Sequence, residues 1–456
     1  MYSGSQIPNI VPKSVGLAVV GEDGELHSSP PARATFAYAG LFLFSLVYFV
    51  QPGDWVPGAG ALPLGKIAAV LALMSFAGSV LLRPGQLLHL PRQVTWVVLL
   101  WIQCALAVFF AYWRGGSFNQ VSEFLKVVLM LIVMVVAANT LSRLRALIYL
   151  QVVSSLAIAL TTLRDYSGGR AQGSVQRLGN SNDLALSLVV AIPLCAYLLL
   201  SSKRVMVKAV CALAILLMSY CVLITYSRGG FLAMTAAYTV MAVAFGIREK
   251  RRIFLVMPLL GVVFLAALSP SGYGKRLNSI FQQESDDGSR VQRQELFWRS
   301  IEITSQHPLF GVGPGNFVIL SDEWRVTHNT YTELSAEAGI PALVLFLLVF
   351  IQTFMSLRKL RETRQASARL LAAGLKASIV GALVGSFFGS QAYGFTLYIL
   401  VGYATCLQRF DLAPENPHKN GGGEMGAGHV SGREEAVVCC SGANLEGMEW
   451  RGAVSR

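Results

Sequence analysis

The chain has 456 residues, of which 54% are hydrophobic and only 14% are charged. Because an average soluble domain carries roughly 25% charged residues, this composition excludes a large soluble domain. The formal net charge is +12. Basic cytoplasmic loops account for such an excess in membrane proteins, and no basic–aromatic cluster resembles a nucleic-acid-binding module. We therefore expect a membrane protein that has no nucleic-acid partner.

Apolar runs of spanning length recur along the chain. A helix needs about 20 predominantly apolar residues to cross the hydrocarbon core of a bilayer. We therefore predict an all-α polytopic membrane protein with about twelve transmembrane helices. The predicted spans are 35–50, 62–82, 94–112, 124–141, 144–162, 183–201, 205–225, 230–247, 253–269, 335–357, 370–388 and 392–408.

The charges between the spans predict the orientation. Connections that follow even-numbered spans are short and basic, as at 248–252, and such connections belong in the cytoplasm. Both termini are then cytoplasmic, and the long loop before span ten lies outside. The predicted organisation is a cytoplasmic segment (1–34), helices one to nine (35–269), an outward-facing loop (270–334), helices ten to twelve (335–408) and a disordered cytoplasmic tail (409–456).

The most polar stretch of this apolar chain extends from residue 288 to 341. Its first part, 290–306, predicts an amphipathic helix whose apolar contacts come from Leu296, Phe297, Ile301 and Ile303. A Gly/Pro-rich turn, GVGPG, follows at 311–315. Two carboxylates, Glu333 and Glu337, are four residues apart at the start of span ten, where they complement the helix dipole.

Arg228 lies on the outer side, in a connection of only a few residues between spans seven and eight. Two interpretations stay open. The side chain can extend to the membrane interface, or it can be a fixed cation that faces a cavity and awaits an anionic group. Arginine suits phosphate because its planar guanidinium donates two parallel hydrogen bonds and stays charged at any working pH.

His328 precedes span ten and is followed by Asn329 and Tyr331. A neutral imidazole accepts a proton near pH 7 and is the usual general base in enzymes. On its chemistry alone, a packed or surface loop histidine is the more common case. Residue types therefore do not decide whether His328 is catalytic.

Four motifs together decide in favour of a catalytic site, because they resemble the O-antigen ligase and polymerase superfamily of bacterial envelope glycan enzymes. The motifs are GNSNDLA (179–185), YSRGGFLA (226–233), RQELFWRSIEITSQHPLFGVGPGNF (293–317) and HNTYTELSAEAGIPALVLFL (328–347). Their order, the predicted spans and the large outward loop also fit. The resemblance implies a GT-C-like helical glycosyltransferase of the bacterial inner membrane, with its active site facing the periplasm.

The resemblance also implies an activity. The donor would be an undecaprenyl-diphosphate-linked glycan, and the acceptor a hydroxyl of lipid A core, another glycan or a protein. Transfer would be inverting and metal-independent, with no cofactor. The family's short-loop arginine falls on Arg228, its loop arginine on Arg293 with Arg290 as the competing choice, and its histidine on His328. Further substrate contacts implied with less support are Arg177, Asn329 and Tyr331.

Other functions stay open at this point. Within the same chemistry, the chain could be a repeat-unit polymerase or an O-linked protein glycosyltransferase, which differ from a ligase only in the acceptor. A transporter or flippase for a lipid-linked glycan is an alternative of another class. Transporters favour helices broken in paired positions and acid–base groups inside the membrane, whereas this chain carries its Arg and His candidates in loops.

Overall fold

The computed structural model describes residues 18–20, 26–28, 32–55, 62–81, 90–168, 170–248, 288–321, 324–360, 363 and 365–411. Near the N-terminus, strand β1 (Ala18–Val20) pairs antiparallel with β2 (Leu26–Ser28). The predicted ninth span, the first part of the predicted loop and the predicted disordered tail from residue 412 onward lie outside the described residues. So does most of the predicted N-terminal segment.

Helices make up the body of the described chain. They are α1 (Ala32–Val50), α2 (Pro52–Trp55), α3 (Leu64–Leu81), α4 (Arg92–Ala107), α5 (Arg114–Ala137), α6 (Leu141–Arg164), α7 (Ser181–Ser201), α8 (Val205–Ile224), α9 (Arg228–Met241), α10 (Gly288–Gln306), α11 (Phe317–Leu320), α12 (Thr330–Lys359), α13 (Ala366–Ser386) and α14 (Phe395–Asp411). Single 3-10 turns follow α4 (Val108–Phe110) and precede α7 (Gln176–Leu178), and a π-helical segment (Ala242–Arg248) extends α9.

Eight of the described helices are long and apolar enough to cross a membrane, and two shorter apolar helices lie in α1 and α3. This confirms the polytopic helical class. Helices also cover every predicted span except the ninth. The number of about twelve spans and the GT-C arrangement stay predictions.

Helices α7, α9 and α13 pack closely against one another, and α12 packs on α4 and α10. A buried hydrogen bond from Ser378 Oγ to the carbonyl oxygen of Val190 (2.8 Å) joins α13 to α7 inside the apolar core. The N-termini of α7, α9 and α12 lie at the same end of the bundle, where their loops interact (below). We call this end of the bundle the site end.

Helix α12 is broken near its start. Gly339 has φ 86° and ψ 169°, which interrupts the helix two residues before Pro341. The interruption lets the 308–310 segment approach the backbone, and the Ile340 N–H donates to the carbonyl oxygen of Pro308 (2.8 Å). The side-chain amide of Gln103 on α4 donates to the carbonyl oxygens of residues 309 (2.8 Å) and 338 (3.0 Å). The first part of α12 is therefore fixed to the polar segment rather than to the apolar bundle alone.

Candidate active site

Arg228 is held at the first position of α9 by a tight turn that follows α8. Tyr226 adopts a left-handed backbone conformation with φ 51°, which few residues other than glycine favour. Ser227 then caps α9, because its hydroxyl accepts a hydrogen bond from the Gly230 N–H (3.0 Å). The turn therefore fixes both the position and the direction in which Arg228 leaves the backbone.

The N-terminus of α7 braces this turn. Asn182 Oδ1 accepts hydrogen bonds from Ser227 Oγ (2.7 Å) and from the Arg170 guanidinium (3.1 Å). Arg170 also donates from Nε to the carbonyl oxygen of residue 225 (3.2 Å). On the other side, a Cβ added at Gly229 would lie 2.4 Å from Phe388 Cβ, so only glycine fits between α9 and the end of α13. The GNSNDLA motif thus positions the YSRGG motif.

Arg293 lies on the inward face of α10. Leu296, Ser300 and Ile303 on the same side are buried, and Arg293 is half-buried among them. The predicted helix is confirmed, but its amphipathic pattern is weaker than predicted, since 39% of Ile301, one of the predicted apolar contacts, is exposed. The reason is the helical period, which places residue 301 away from the core. The inward face therefore includes the cation Arg293. A division of the helix into polar and apolar faces would instead predict that this side chain is exposed to solvent.

The predicted GVGPG turn is confirmed, and a buried carboxylate holds it. The three glycines of the turn, at 311, 313 and 315, all have positive φ angles (61°, 97° and 78°). Glu337 of α12 accepts hydrogen bonds from the backbone N–H groups of Gly315 (2.8 Å) and Phe317 (3.2 Å). It also accepts one from the Tyr393 hydroxyl (2.9 Å). Glu337 thus organises the segment between α10 and α12, beyond the helix-dipole role expected from the sequence.

His328 immediately precedes the cap of α12. Its φ of 53° is left-handed, a conformation that costs a non-glycine residue about 1–3 kcal/mol and is concentrated at functional sites. Asn329 caps the helix, because its side-chain oxygen accepts from the N–H groups of Tyr331 (3.0 Å) and Thr332 (3.2 Å). Thr327 Oγ1 in turn accepts from the Asn329 N–H (3.3 Å). His328 is therefore fixed from both sides by buried neighbours.

The three predicted catalytic side chains come together at the site end. Burial and the positive charge of Arg228 both lower the pKa of Arg293. Burial also lowers the pKa of His328, and the charges of Arg293 and Arg325 lower it further. The effect of Arg228 on Arg293, and of Arg293 on His328, requires that these groups be near one another. The cluster is cationic, and its charges favour the neutral form of the half-buried imidazole.

Arg325 is a member of the cluster that sequence reasoning missed. It lies three residues before His328, and its guanidinium donates a short hydrogen bond to Gln292 Oε1 of α10. Its side chain is exposed. The motif that carries the resemblance begins at His328, so nothing in it marks Arg325. The available signal was its charge and its position just before the histidine.

The remaining predicted contacts have different surroundings. The Arg177 guanidinium carbon lies 4.1 Å from the centre of the Tyr48 ring. The Tyr331 hydroxyl donates to the carbonyl oxygen of residue 383 (2.8 Å). Asn329 is the helix cap already described. Arg290 lies in the first turn of α10, and its side chain is outside the described part of the chain. Substrate contact by these four residues stays a prediction.

Among the residues that the structure describes, no group of three or more His, Cys, Asp or Glu side chains is placed to hold a metal ion. The five described cysteines are free and buried. The chemistry that this site can perform with its own residues is anion binding by arginine and proton acceptance by histidine.

Comparison with known families adds an independent observation. Residues 213–347 match the family model described as O-antigen ligase. The match confirms the resemblance to the O-antigen ligase superfamily, and it spans Arg228, Arg293, Arg325, His328 and Glu337. A comparison with curated proteins gave no match. The chain is therefore a multi-pass membrane protein with a region that matches the O-antigen ligase family model, and every member of the cationic cluster lies inside that region.

Proposed function

We propose that this protein is an O-antigen ligase-like glycosyltransferase. It moves a glycan from an undecaprenyl-diphosphate carrier to an acceptor hydroxyl, on lipid A core or another glycoconjugate, at the periplasmic face of the inner membrane. The observation that carries the proposal is the convergence of two half-buried arginines with a neutral half-buried histidine. The family match narrows the reaction class, since the matching region contains all three residues.

The arginines suit the leaving group. A glycosyl diphosphate leaves as a diphosphate anion when the bond between the anomeric carbon and its oxygen breaks. Arg228 and Arg293 repel each other when no anion is bound, as the lowered pKa of Arg293 records. A diphosphate between them relieves that repulsion and receives charge-assisted hydrogen bonds. Because negative charge grows on the diphosphate during transfer, fixed cations stabilise the transition state more than the ground state.

His328 suits the acceptor. Its lowered pKa keeps the imidazole neutral near pH 7, so a ring nitrogen can accept the proton of the acceptor hydroxyl as that oxygen attacks the anomeric carbon. The acceptor oxygen forms the new glycosidic bond, the diphosphate takes the old bonding pair, and the proton stays on His328 until solvent removes it. Direct attack on the face opposite the diphosphate predicts inversion at the anomeric carbon. None of these steps needs a metal ion, because the arginines supply the positive charge.

The deciding experiment is transfer in vitro. The purified protein in lipid nanodiscs is given a polyprenyl-diphosphate glycan and, separately, lipid A core, a free glycan chain or a candidate protein as acceptor. We expect product with lipid A core in the presence of EDTA, with inverted anomeric configuration by NMR. Elongation of the glycan chain would instead indicate a polymerase, and product on protein an O-linked protein glycosyltransferase.

One outcome would contradict the enzyme assignment itself: transport of the lipid-linked glycan between leaflets of proteoliposomes without any transfer, which would indicate a flippase. Equal product from the His328→Ala protein would instead overturn the role of His328 as the base. Loss of product on chelation, restored by a divalent cation, would overturn only the metal-independent mechanism.

A further inference from the structure

The outer face of α10 forms a cleft that the proposed reaction does not use. The cleft has a volume of about 990 Å³, and its lining includes Gln292, Glu295, Trp298, Arg299 and Glu302. It lies on the side of the helix opposite Arg293, because residues 295, 298 and 302 follow one another at helical spacing. A volume of this size is at the upper end of the range for small-ligand sites, about 300–1,000 Å³.

Trp298 is the feature of this cleft that needs an explanation. It is 61% exposed, although tryptophan is usually highly buried on average. An exposed tryptophan on a membrane protein is often an anchor at the lipid interface. Here the same face carries Glu295 and Glu302, whose side chains are also exposed. Because carboxylates are costly in contact with hydrocarbon, this charged face is turned to water rather than to lipid tails.

The wall of the cleft is fixed by polar contacts. Arg299 forms an ion pair with Glu302 (2.8 Å), and its Nε donates to the carbonyl oxygen of Leu320 (3.4 Å). These contacts join α10 to the end of α11. Phe297 meets Trp298 edge-on, with ring centres 5.5 Å apart. The indole is thus supported from one side and leaves a face for a ligand.

A hydrogen bond links the lining of the cleft to the cationic cluster. Gln292 lines the cleft and accepts the hydrogen bond of Arg325. Arg325 is also a group whose charge acts on His328. A chain molecule with one end at His328 can therefore pass Arg325 and Gln292 and reach Trp298 along α10.

We propose that this cleft binds a carbohydrate chain, with Trp298 stacked on a sugar ring and the amide, carboxylate and guanidinium groups bonded to its hydroxyls. A sugar ring presents a flat C–H face that an indole covers well, and hydroxyl edges that both donate and accept hydrogen bonds. Gln292, Glu295 and Arg299 together offer both functions. This inference rests on the proposed transferase function, and the chain that binds can belong to the donor or to the acceptor.

Direct binding separates this inference from the proposed function. The probe is the oligosaccharide that mild acid releases from the host's own lipid-linked glycan, with maltoheptaose as an unrelated sugar chain. Binding to the full-length protein in nanodiscs is measured by saturation-transfer NMR. We expect Trp298→Ala to weaken binding about tenfold, as for a tryptophan hot spot. Ile301→Ala is the matched control, since Ile301 is exposed on the same helix and does not line the cleft.

Kinetics identify the source of the chain. If the donor glycan fills the cleft, Trp298→Ala raises the KM for a donor with several repeat units but not for a donor with one. If the acceptor fills it, the KM for the acceptor rises instead. Unchanged binding and unchanged KM values for Trp298→Ala would overturn the inference. Absence of transfer by the wild-type protein to every acceptor would overturn the proposed function and leave the binding result standing.

Discussion

Arginine side chains have different surroundings at the two ends of the helix bundle. At the end opposite the site, Arg143 donates to the carbonyl oxygen of residue 137 (3.1 Å) and to Asn139 Oδ1 (3.0 Å), and it lies over the Tyr38 ring at 4.9 Å. At the site end, the half-buried Arg293 instead faces the charge of Arg228. The charge of Arg293 also acts on His328.

The difference agrees with the proposal that the cations at the site end bind an anionic ligand, whereas Arg143 stabilises the fold. Neutral oxygens compensate a buried guanidinium and fix the helices around it. Cations that face one another raise the energy of the free protein, and an anion relieves that cost only when it binds. Local backbone strain is also concentrated at the site end, since Tyr226 and His328 have positive φ angles there. Repulsion and backbone strain therefore destabilise the site end, whereas hydrogen bonds stabilise the opposite end.

The largest expected effect is on catalysis at the site end. We expect His328→Ala to lower transfer by about 10²–10⁴-fold through loss of the general base. Arg228→Ala should lower it by about 10²–10³-fold through loss of charge stabilisation. Transfer per mole of purified protein is the measurement. Arg143→Ala is the control from the opposite end, and it should lose thermal stability but keep its specific activity. Equal losses of activity in all three proteins would contradict the distinction between the two ends.

The next effect is on the fold of the site end. Gly339→Ala forces a residue with a side chain to adopt φ 86° and places its Cβ 2.3 Å from the Leu309 carbonyl oxygen. We expect a loss of about 1–3 kcal/mol from backbone strain alone, and loss of activity as the loop moves. Size-exclusion thermostability reports the change. Gly65→Ala is the matched control, because nothing lies within 4 Å of a Cβ added at Gly65. The melting temperature of this variant should change little.

A smaller effect is expected at the carboxylate that holds the glycine turn. Glu337→Gln replaces one of the two accepting oxygens with an amide nitrogen, which cannot accept a hydrogen bond from the N–H group of Gly315 or of Phe317. An unsatisfied buried donor costs about 1–3 kcal/mol. We expect a lower melting temperature and reduced kcat, with the anomeric outcome unchanged. If the Glu337→Gln protein were as stable as the wild type, the turn would not depend on this carboxylate.

The smallest expected effect is a shift in pH dependence. Transfer needs neutral His328, so kcat/KM should fall as the pH drops through the pKa of His328, which lies below its ordinary value of about 6.5. Arg325→Gln removes one of the cations that lower this pKa. The pKa then rises, and the acidic limb of the kcat/KM profile moves to higher pH. Lys359→Gln, at the far end of α12, is the control. If the acidic limb of the kcat/KM profile did not move, Arg325 would not be part of the site.

The sequence alone determined the class of protein and the family that it resembles. Apolar runs of spanning length predict membrane helices because the backbone must satisfy its own hydrogen bonds in lipid, and that requirement is local. The family resemblance likewise depends on short contiguous motifs, three of which lie within the matched residues 213–347. From these motifs the sequence also selected Arg228, Arg293 and His328, although it did not establish that they meet.

Only the tertiary structure decided how these residues are placed. Arg228 leaves a turn that Asn182 braces from α7, and Arg293 faces inward because α10 packs on α12. Glu337 accepts hydrogen bonds from the glycine turn, and Arg325 donates one to Gln292 of α10. These contacts join residues that are distant in the sequence or lie outside any motif. Long-range packing sets such contacts, because helical periodicity contains no information about which faces will meet.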